Sequence, residues 1–343
     1  MGARADRSLV IPEPDPARLA DATALADQAR LPARAGAVWF GTAGWTDPTL
    51  VKSGSFYPKV SQSAEERLGF YAEHFSLVEV DATYYSLLPV ETARRWAEWT
   101  PAEFVFDVKA HPVVTGHPVD VTRLPKDLRE ALRAHSDKPR IYPRDLPGEL
   151  AREMEARFFA LLEPLRDAGK LGCVLAQFPP WFSATRGNAR AVQALRERWP
   201  EVPFAVEFRH KSWLEPERRE RVTRLLTEHR LSYVCVDEPP ARVGGLPGAV
   251  FVTHPELAVV RFHGHNLAGW NRRGASVHER FDYLYSSAEL RTWVEPVQRL
   301  AREAKRVHAV FNNCVRNYAV LGAKGLSVLL TAGSDPTAGP ATA

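Results

Sequence analysis

Phe204-Ala205-Val206-Glu207-Phe208-Arg209-His210 decides the fold, because a short apolar run there ends in charge. The same form recurs along the chain. Ala258-Val259-Val260 runs into Arg261-Phe262-His263, Leu77-Val78-Glu79-Val80 into Asp81, and Phe104-Val105-Phe106 into Asp107-Val108-Lys109. Side chains two apart on a strand point to the same face. Glu207 therefore shares a face with Arg209, Arg261 with His263, Asp107 with Lys109, and Glu79 with Asp81. Strands whose trailing ends all put charge on one face predict a shared polar mouth, which is where a (β/α)8 barrel keeps its active site.

Working outward, eight strands are predicted: Val38–Gly41, Leu77–Asp81, Phe104–Lys109, Cys173–Gln177, Phe204–Arg209, Tyr233–Asp237, Ala258–His263 and Val307–Asn313. Helical patterns lie between them. Ala64–His74 follows Ser63, a good N-cap, and Val90–Trp99, Asn188–Trp199, Glu215–His229 and Ala288–Lys305 show helical spacing. Strands alternating with helices imply a parallel sheet. Eight such units imply closure, so the expected fold is α/β, a (β/α)8 TIM-like barrel. The segment from His111 to about Gly169 is too long for one crossover and carries six prolines before a helical stretch near Glu149–Ala168. It reads as a long insertion after strand 3, standing over the mouth; loops of this length are usually functional or disordered.

The chain has 343 residues, 45% hydrophobic and 25% charged, which is ordinary globular composition. Residues 1–36 are rich in Ala, Arg, Asp and Pro without a sustained apolar period, and 331–343 are small, polar and broken by Pro and Gly. Both are expected to be disordered tails around a single domain at 37–330, a length that suits one barrel of about 250 residues with an insertion. The net charge of +4 tolerates anionic partners without announcing a nucleic-acid protein. No apolar signal core opens the chain, and no apolar run approaches the roughly 18 residues of a membrane span. Cys173, Cys235 and Cys314 sit in or beside apolar runs with no CxxC spacing, which reads as reduced core thiols of a cytoplasmic protein.

The chain resembles the DUF72 family, also called YecE-like. The resemblance rests on Gly41-Thr42-Ala43-Gly44-Trp45, Asp81-Ala82-Thr83-Tyr84-Tyr85, Lys109-Ala110, Gln177-Phe178-Pro179-Pro180-Trp181-Phe182, Glu207-Phe208-Arg209-His210-Lys211-Ser212-Trp213, Arg261-Phe262-His263-Gly264 and Phe311-Asn312-Asn313. Seven motifs in the family's order cover roughly residues 38–330. The resemblance implies a TIM-barrel fold and brings no assigned reaction. Two places depart from the family pattern. Asp81-Ala82-Thr83-Tyr84-Tyr85 stands where an Asn/Ser-Thr-Phe-Tyr run is more typical, and His265 stands where an Arg often follows the His-Gly pair.

The leading functional expectation is an enzyme with a small anionic, for instance phosphorylated, organic substrate at the mouth. Lys109, Arg209 and Arg261 would hold the anion, since the Arg fork suits carboxylate and phosphate. Glu207, Asp237 and His263 would share acid–base duty. Gln177, Asn312, Asn313 and Asp81 would orient the substrate, with Tyr85 and Trp213 among the aromatic residues able to stack on a ring. Hydrolysis or another acid–base reaction fits better than redox, because no dinucleotide fingerprint appears. No cofactor is predicted. The chain holds no HExxH, CxxC or DxDxDG-like run, so a divalent metal has no motif behind it. The alternative is a nucleic-acid-binding protein or a nuclease of the endonuclease IV-like barrel type, supported by a pI near 9.0. A further alternative is a barrel that binds a ligand without catalysis. No membrane partner is expected, and nothing in the chain fixes an oligomeric state.

Overall fold

A parallel sheet that curls on itself organises the chain, seen in a computed structural model that describes residues 13–59, 62–239 and 249–332. Its parallel strands are β1 (Val38–Thr42), β2 (Leu77–Val80), β3 (Val105–Lys109), β4 (Leu171–Gln177), β5 (Phe204–Glu207), β6 (Ser232–Asp237), β7 (Ala258–Phe262) and β8 (Val307–Phe311). Neighbours follow chain order from β2 to β8, and β8 returns to pair in parallel with β1. A two-residue strand, Arg34–Ala35, adds antiparallel to β1. The molecule is thus an α/β fold built on a large curled parallel sheet. All eight predicted strands are present, each within two residues of its expected bounds. Four of them stop short, leaving Asp81, Arg209, His263 and Asn312 just beyond the strand ends.

The two flanks of the curl, β1 and β2, approach through a narrow seam. Ala43 bridges Glu79, and the Gly44 amide donates to the Glu79 carbonyl at 2.8 Å. Gly41 makes the approach feasible, since a Cβ there would lie 2.1 Å from the Leu77 carbonyl oxygen.

The outer face of the sheet and the helices form the main apolar core, with a smaller cluster of Trp39, Ala43, Leu77, Val105 and Val310. Ala64–His74 forms as predicted. Ser63 and Glu66 close a reciprocal capping box at its start. The predicted helix over 288–305 is broken into Ser287–Arg291 and Val294–Glu303. Pro296 lacks an N–H, and its ring would meet the carbonyl of residue 292, which favours a break just before it.

Two expectations about segments change. Part of the supposed N-terminal tail is a helix, Pro16–Ala26, with Asp15 capping the Arg18 amide. Its buried residues, Ala22, Leu25 and Ala26, are mostly too small to register as an apolar stripe. Leu25 sits against Gly325 of the C-terminal helix Tyr318–Ala332, and Arg18 pairs with Glu289 at 2.5 Å. Of the rest of that expected tail, Arg34–Ala35 is the short strand and residues 1–12 lie outside the described residues; at the other end 331 and 332 finish the C-terminal helix and 333–343 lie outside them. After β3, the last part of the long segment is the crossover helix itself, Gly148–Asp167. What precedes it holds the helices Pro112–Thr115 and Lys126–Arg133 and a small antiparallel pair, Val119–Asp120 with Arg140–Ile141. Among the described residues no helix is long and apolar enough to cross a membrane.

Candidate active site inside the curled sheet

Arg261 is the hub. From β7 its Nε and Nη2 donate to the two carboxylate oxygens of Glu79 on β2, at 2.8 and 2.7 Å. Its Nη1 donates to Glu207 Oε2 on β5 at 2.5 Å. Neither β2 nor β5 neighbours β7 in the sheet, so these side chains meet across the hollow of the curl. Arg261 and Glu207 are fully buried and Glu79 nearly so. A forked guanidinium between two carboxylates is the geometry that Arg offers and Lys does not. Burial works to raise the Glu207 carboxyl, but the charges of Arg261 and Arg209 outweigh it and hold the group well below the ordinary carboxylate range. The predicted sharing of a face by Glu207 and Arg209 is present: Arg209 Nε lies 3.0 Å from Glu207 Oε1. Arg209 also pairs with Glu238 and stands over the Trp270 ring at 5.3 Å.

His263 completes this wall. Asn312 approaches its Nδ1 at 2.9 Å, while the Asn312 oxygen faces the Cys314 thiol. That contact orients the Asn312 amide so that Nδ2 donates to the ring. The ring proton then lies on Nε2, which points toward Glu207 Oε1 at 3.7 Å, too long for a hydrogen bond. Burial, with the nearby Arg209 charge, pushes the imidazole down to about 3, so it is neutral at ordinary pH.

Lys109 and Asp81 form the other side. Lys109 is partly buried at the end of β3, its Nζ 4.8 Å from the centre of the Tyr84 ring. Among the described residues no carboxylate comes within 4 Å of that ammonium, because Arg261 takes Glu79 and Glu207. Burial and the neighbouring Arg261 lower its pKa. Asp81 precedes the short helix Ala82–Tyr85 without capping it. Burial raises its carboxyl to about 6, against the opposing pull of Lys109. Gln177 meets Arg261 only at 3.5 Å.

Other predicted residues lie elsewhere. Asp237 faces away from Arg261: it pairs in register with Phe262, while Arg261 pairs with Val236. Its carboxylate accepts from Tyr285 and meets His265 Nε2, each at 2.7 Å. The hydrogen bond to Asp237 raises the His265 pKa. Asn313 donates to the Tyr283 carbonyl at 2.8 Å, away from His263. Trp213 is 2% exposed, stacked on Phe208 and bonded to the Phe182 carbonyl, so it supports the loops from beneath. Tyr85 is 40% exposed with Arg123 over its ring.

Sequence reasoning missed Glu238 and His117 at the mouth. Glu238 was overlooked in favour of Asp237, although a period of two already puts it on the face of Val236 and Arg261. His117 and the 53%-exposed Trp181 stand edge to ring near Tyr84. The first of these comes from the insertion and had no strand to place it. Tyr84, Tyr85, His111, Asp120, Arg123 and Arg140 line a cavity of about 200 Å³ beside Lys109's aromatic neighbour. The loop after β7 is not open: Leu267–Asn271 is helical and turns Trp270 toward His263.

At the opposite end of the curl, Asp107 is held away from Lys109. Both its oxygens meet His308 Nδ1, at 3.0 and 2.9 Å, and the Cys173 thiol lies within 4.8 Å. The Asp107 charge helps push the Cys173 thiol up after burial does so.

Three comparisons bear on this arrangement. The chain matches the family described as "Protein of unknown function DUF72" over residues 39–342. It is 30% identical over 279 residues to the UPF0759 protein YunF of Bacillus subtilis (strain 168), covering 80% of this chain and 88% of that one. Among solved structures, a DUF72 family protein from Enterococcus faecalis V583 superposes with a TM-score of 0.69 at 26% identity, covering 85% of this chain and 95% of that one. Another, from Thermotoga maritima MSB8, gives 0.65 at 31% identity, covering 85% and 98%.

Proposed function

The chain belongs to the DUF72 family, and from that premise we propose that it is an enzyme acting on an anionic organic substrate at the C-terminal mouth of a closed (β/α)8 barrel. The Ala43–Glu79 bridge and the Gly44 hydrogen bond support closure, with the barrel forming one domain over about 37–330 and the insertion after strand 3 beside its mouth. The observation that carries the functional reading is that Lys109, with Asp81 nearby, makes no contact ion pair among the described residues, while Arg261 and Arg209 hold Glu79, Glu207 and Glu238. A cation without a contact partner in partly desolvated surroundings can take an incoming anion.

Acid–base duty falls to different groups than expected from the sequence. Asp81, poised at about 6, is the proton carrier. Glu207 stays ionised and His263 neutral, so together they orient rather than titrate. Asp237 sets His265 and Tyr285. Hydrolysis or another proton-transfer reaction suits this set. The cytoplasm suits three cysteines that are free, two of them buried.

The test is a thermal-shift and calorimetric screen with phosphorylated metabolites, 2-oxo acids, divalent ions, and short DNA and RNA. A ligand that binds only the folded protein raises the midpoint. A shift from a small anion that is lost in Lys109→Met carries the enzyme reading. The nucleic-acid alternative draws on exposed Trp181 as a stacking platform; a shift only with DNA or RNA, fading steeply with salt, would replace the first reading with it.

A further inference from the structure

We propose that Lys109 is a reactive amine that forms an imine with the carbonyl group of an anionic substrate, a 2-oxo acid or a phosphorylated aldehyde or ketone. The inference rests on the reading that the mouth binds an organic anion, and adds the covalent chemistry. Lysine becomes a nucleophile when it is desolvated or set beside another cation, and both conditions hold here. Arg261 stands near, with its own charge fixed by Glu79 and Glu207. No carboxylate within 4 Å ties down the Lys109 nitrogen among the described residues; its neighbour is the face of Tyr84.

The strand end is rigidly rooted. The Lys109 carbonyl accepts from Thr83 Oγ1 at 2.6 Å, and the next amide, Ala110, donates to the Leu175 carbonyl at 3.0 Å. Tyr84 is the residue the two have in common: its ring lies 4.8 Å from the Lys109 nitrogen, and it is one of the residues lining the small cavity with Arg123 and Arg140. These two guanidiniums are exposed, and the only ion pair either makes among the described residues is a 3.9 Å contact from Arg123 to Asp120. The proposal places the anionic group of the substrate at these two cations, with Tyr84 between them and the amine.

The step balances without a co-reactant. The neutral Lys109 amine adds to the carbonyl carbon, forming the C–N bond as the carbonyl π pair moves to oxygen. Asp81 in its acid form supplies the proton that oxygen takes up. The carbinolamine nitrogen then gives up one proton, the hydroxyl takes one up, and the C–O bond breaks to release water and leave an iminium; overall, one amine, one carbonyl and one proton give one iminium and one water.

The test uses the full-length protein with two probes, glyoxylate and glyceraldehyde 3-phosphate, each trapped with sodium cyanoborohydride. Adduct positions are read by peptide mass spectrometry. Lys109 should be labelled at least tenfold faster than the exposed Lys211 and Lys305, and the faster probe names carboxylate or phosphate as the anion. Labelling of Lys109 no faster than of those surface lysines overturns the proposal. Lys109→Arg should keep the thermal shift given by the same anions and yield no adduct at position 109, showing that the fold and the anion site survive. A wild-type protein that shifts with these anions but traps none at Lys109 refutes the imine and leaves the anion-binding reading standing. No shift and no adduct refute both.

Discussion

Glu207 Oε1 and His263 Nε2 face each other 3.7 Å apart inside the curled sheet, both fully buried and neither hydrogen-bonded. The oxygen still has the charge of Arg209, whose Nε lies 3.0 Å away, whereas the His263 nitrogen has no such partner. Buried polar atoms without hydrogen bonds are rare and costly.

Glu207→Gln is expected to destabilise the protein strongly, whatever it does to activity. Arg261 and Arg209 would lose a shared counter-charge in the interior, and removing one partner of a buried pair costs about 3–5 kcal/mol. Denaturant unfolding reads this directly. A loss below about 1 kcal/mol would mean that Glu79 and Glu238 alone neutralise both guanidiniums.

Acid should weaken the fold through His263. Its folded pKa, about 3, lies below the unfolded value near 6.5. Between these values the unfolded chain binds a proton that the folded chain refuses, so stability falls as pH drops from 6.5 toward 3. The contribution is about 2 kcal/mol by pH 5. Asp81 works the other way: its folded value of about 6 exceeds the unfolded one, so folding is favoured at the acid end and that part is lost as pH rises from 3.8 to 6. Unfolding midpoints from pH 4 to 7 should therefore fall less steeply toward acid in His263→Asn than in wild type, and more steeply in Asp81→Asn.

Asp107→Ala separates the two ends of the curl. It removes the acceptor of His308, and a buried group left unsatisfied costs about 1–3 kcal/mol. Binding of anions at the mouth should be unchanged, because Asp107 belongs to the base of the hollow. Equal losses of stability and of anion affinity would show that the two layers are not independent.

Much of this arrangement was legible in the sequence. Strand runs ending in charge located Arg261, Glu207, Lys109 and His263 because a period of two translates directly into a shared face. Asp237 was chosen only as a carboxylate at a strand end; the register puts the mouth face on Val236, and so on Glu238. What stayed hidden has a common cause. Tyr84 beneath Lys109, and Trp270 beneath Arg209, are contacts between segments far apart in the chain, fixed by tertiary packing and not by periodicity.

The N-terminal helix tells the same story, and yields a further expectation. Ala22 and Ala26 bury little surface, so no amphipathic stripe announces them, yet Leu25 fills a space against Gly325. Leu25→Ala should cost about 2 kcal/mol, read as a lowered thermal midpoint with anion binding intact. A midpoint that does not move would mean that this helix docks without supporting the sheet.

Gly41 sets a dimension of the site it never touches. With hydrogen in place of a side chain it lets β1 lie close against the Leu77 carbonyl, and a single methyl would force the two strands apart. Glu79 stands on that same joint, its carbonyl clasping Gly44 and its carboxylate gripping Arg261. The aperture of the mouth is therefore gauged by one missing carbon atom, and wedging the joint open would draw Glu79 off Arg261, hand that cation a vacancy, and retune the amine and the acid beside it from the far wall.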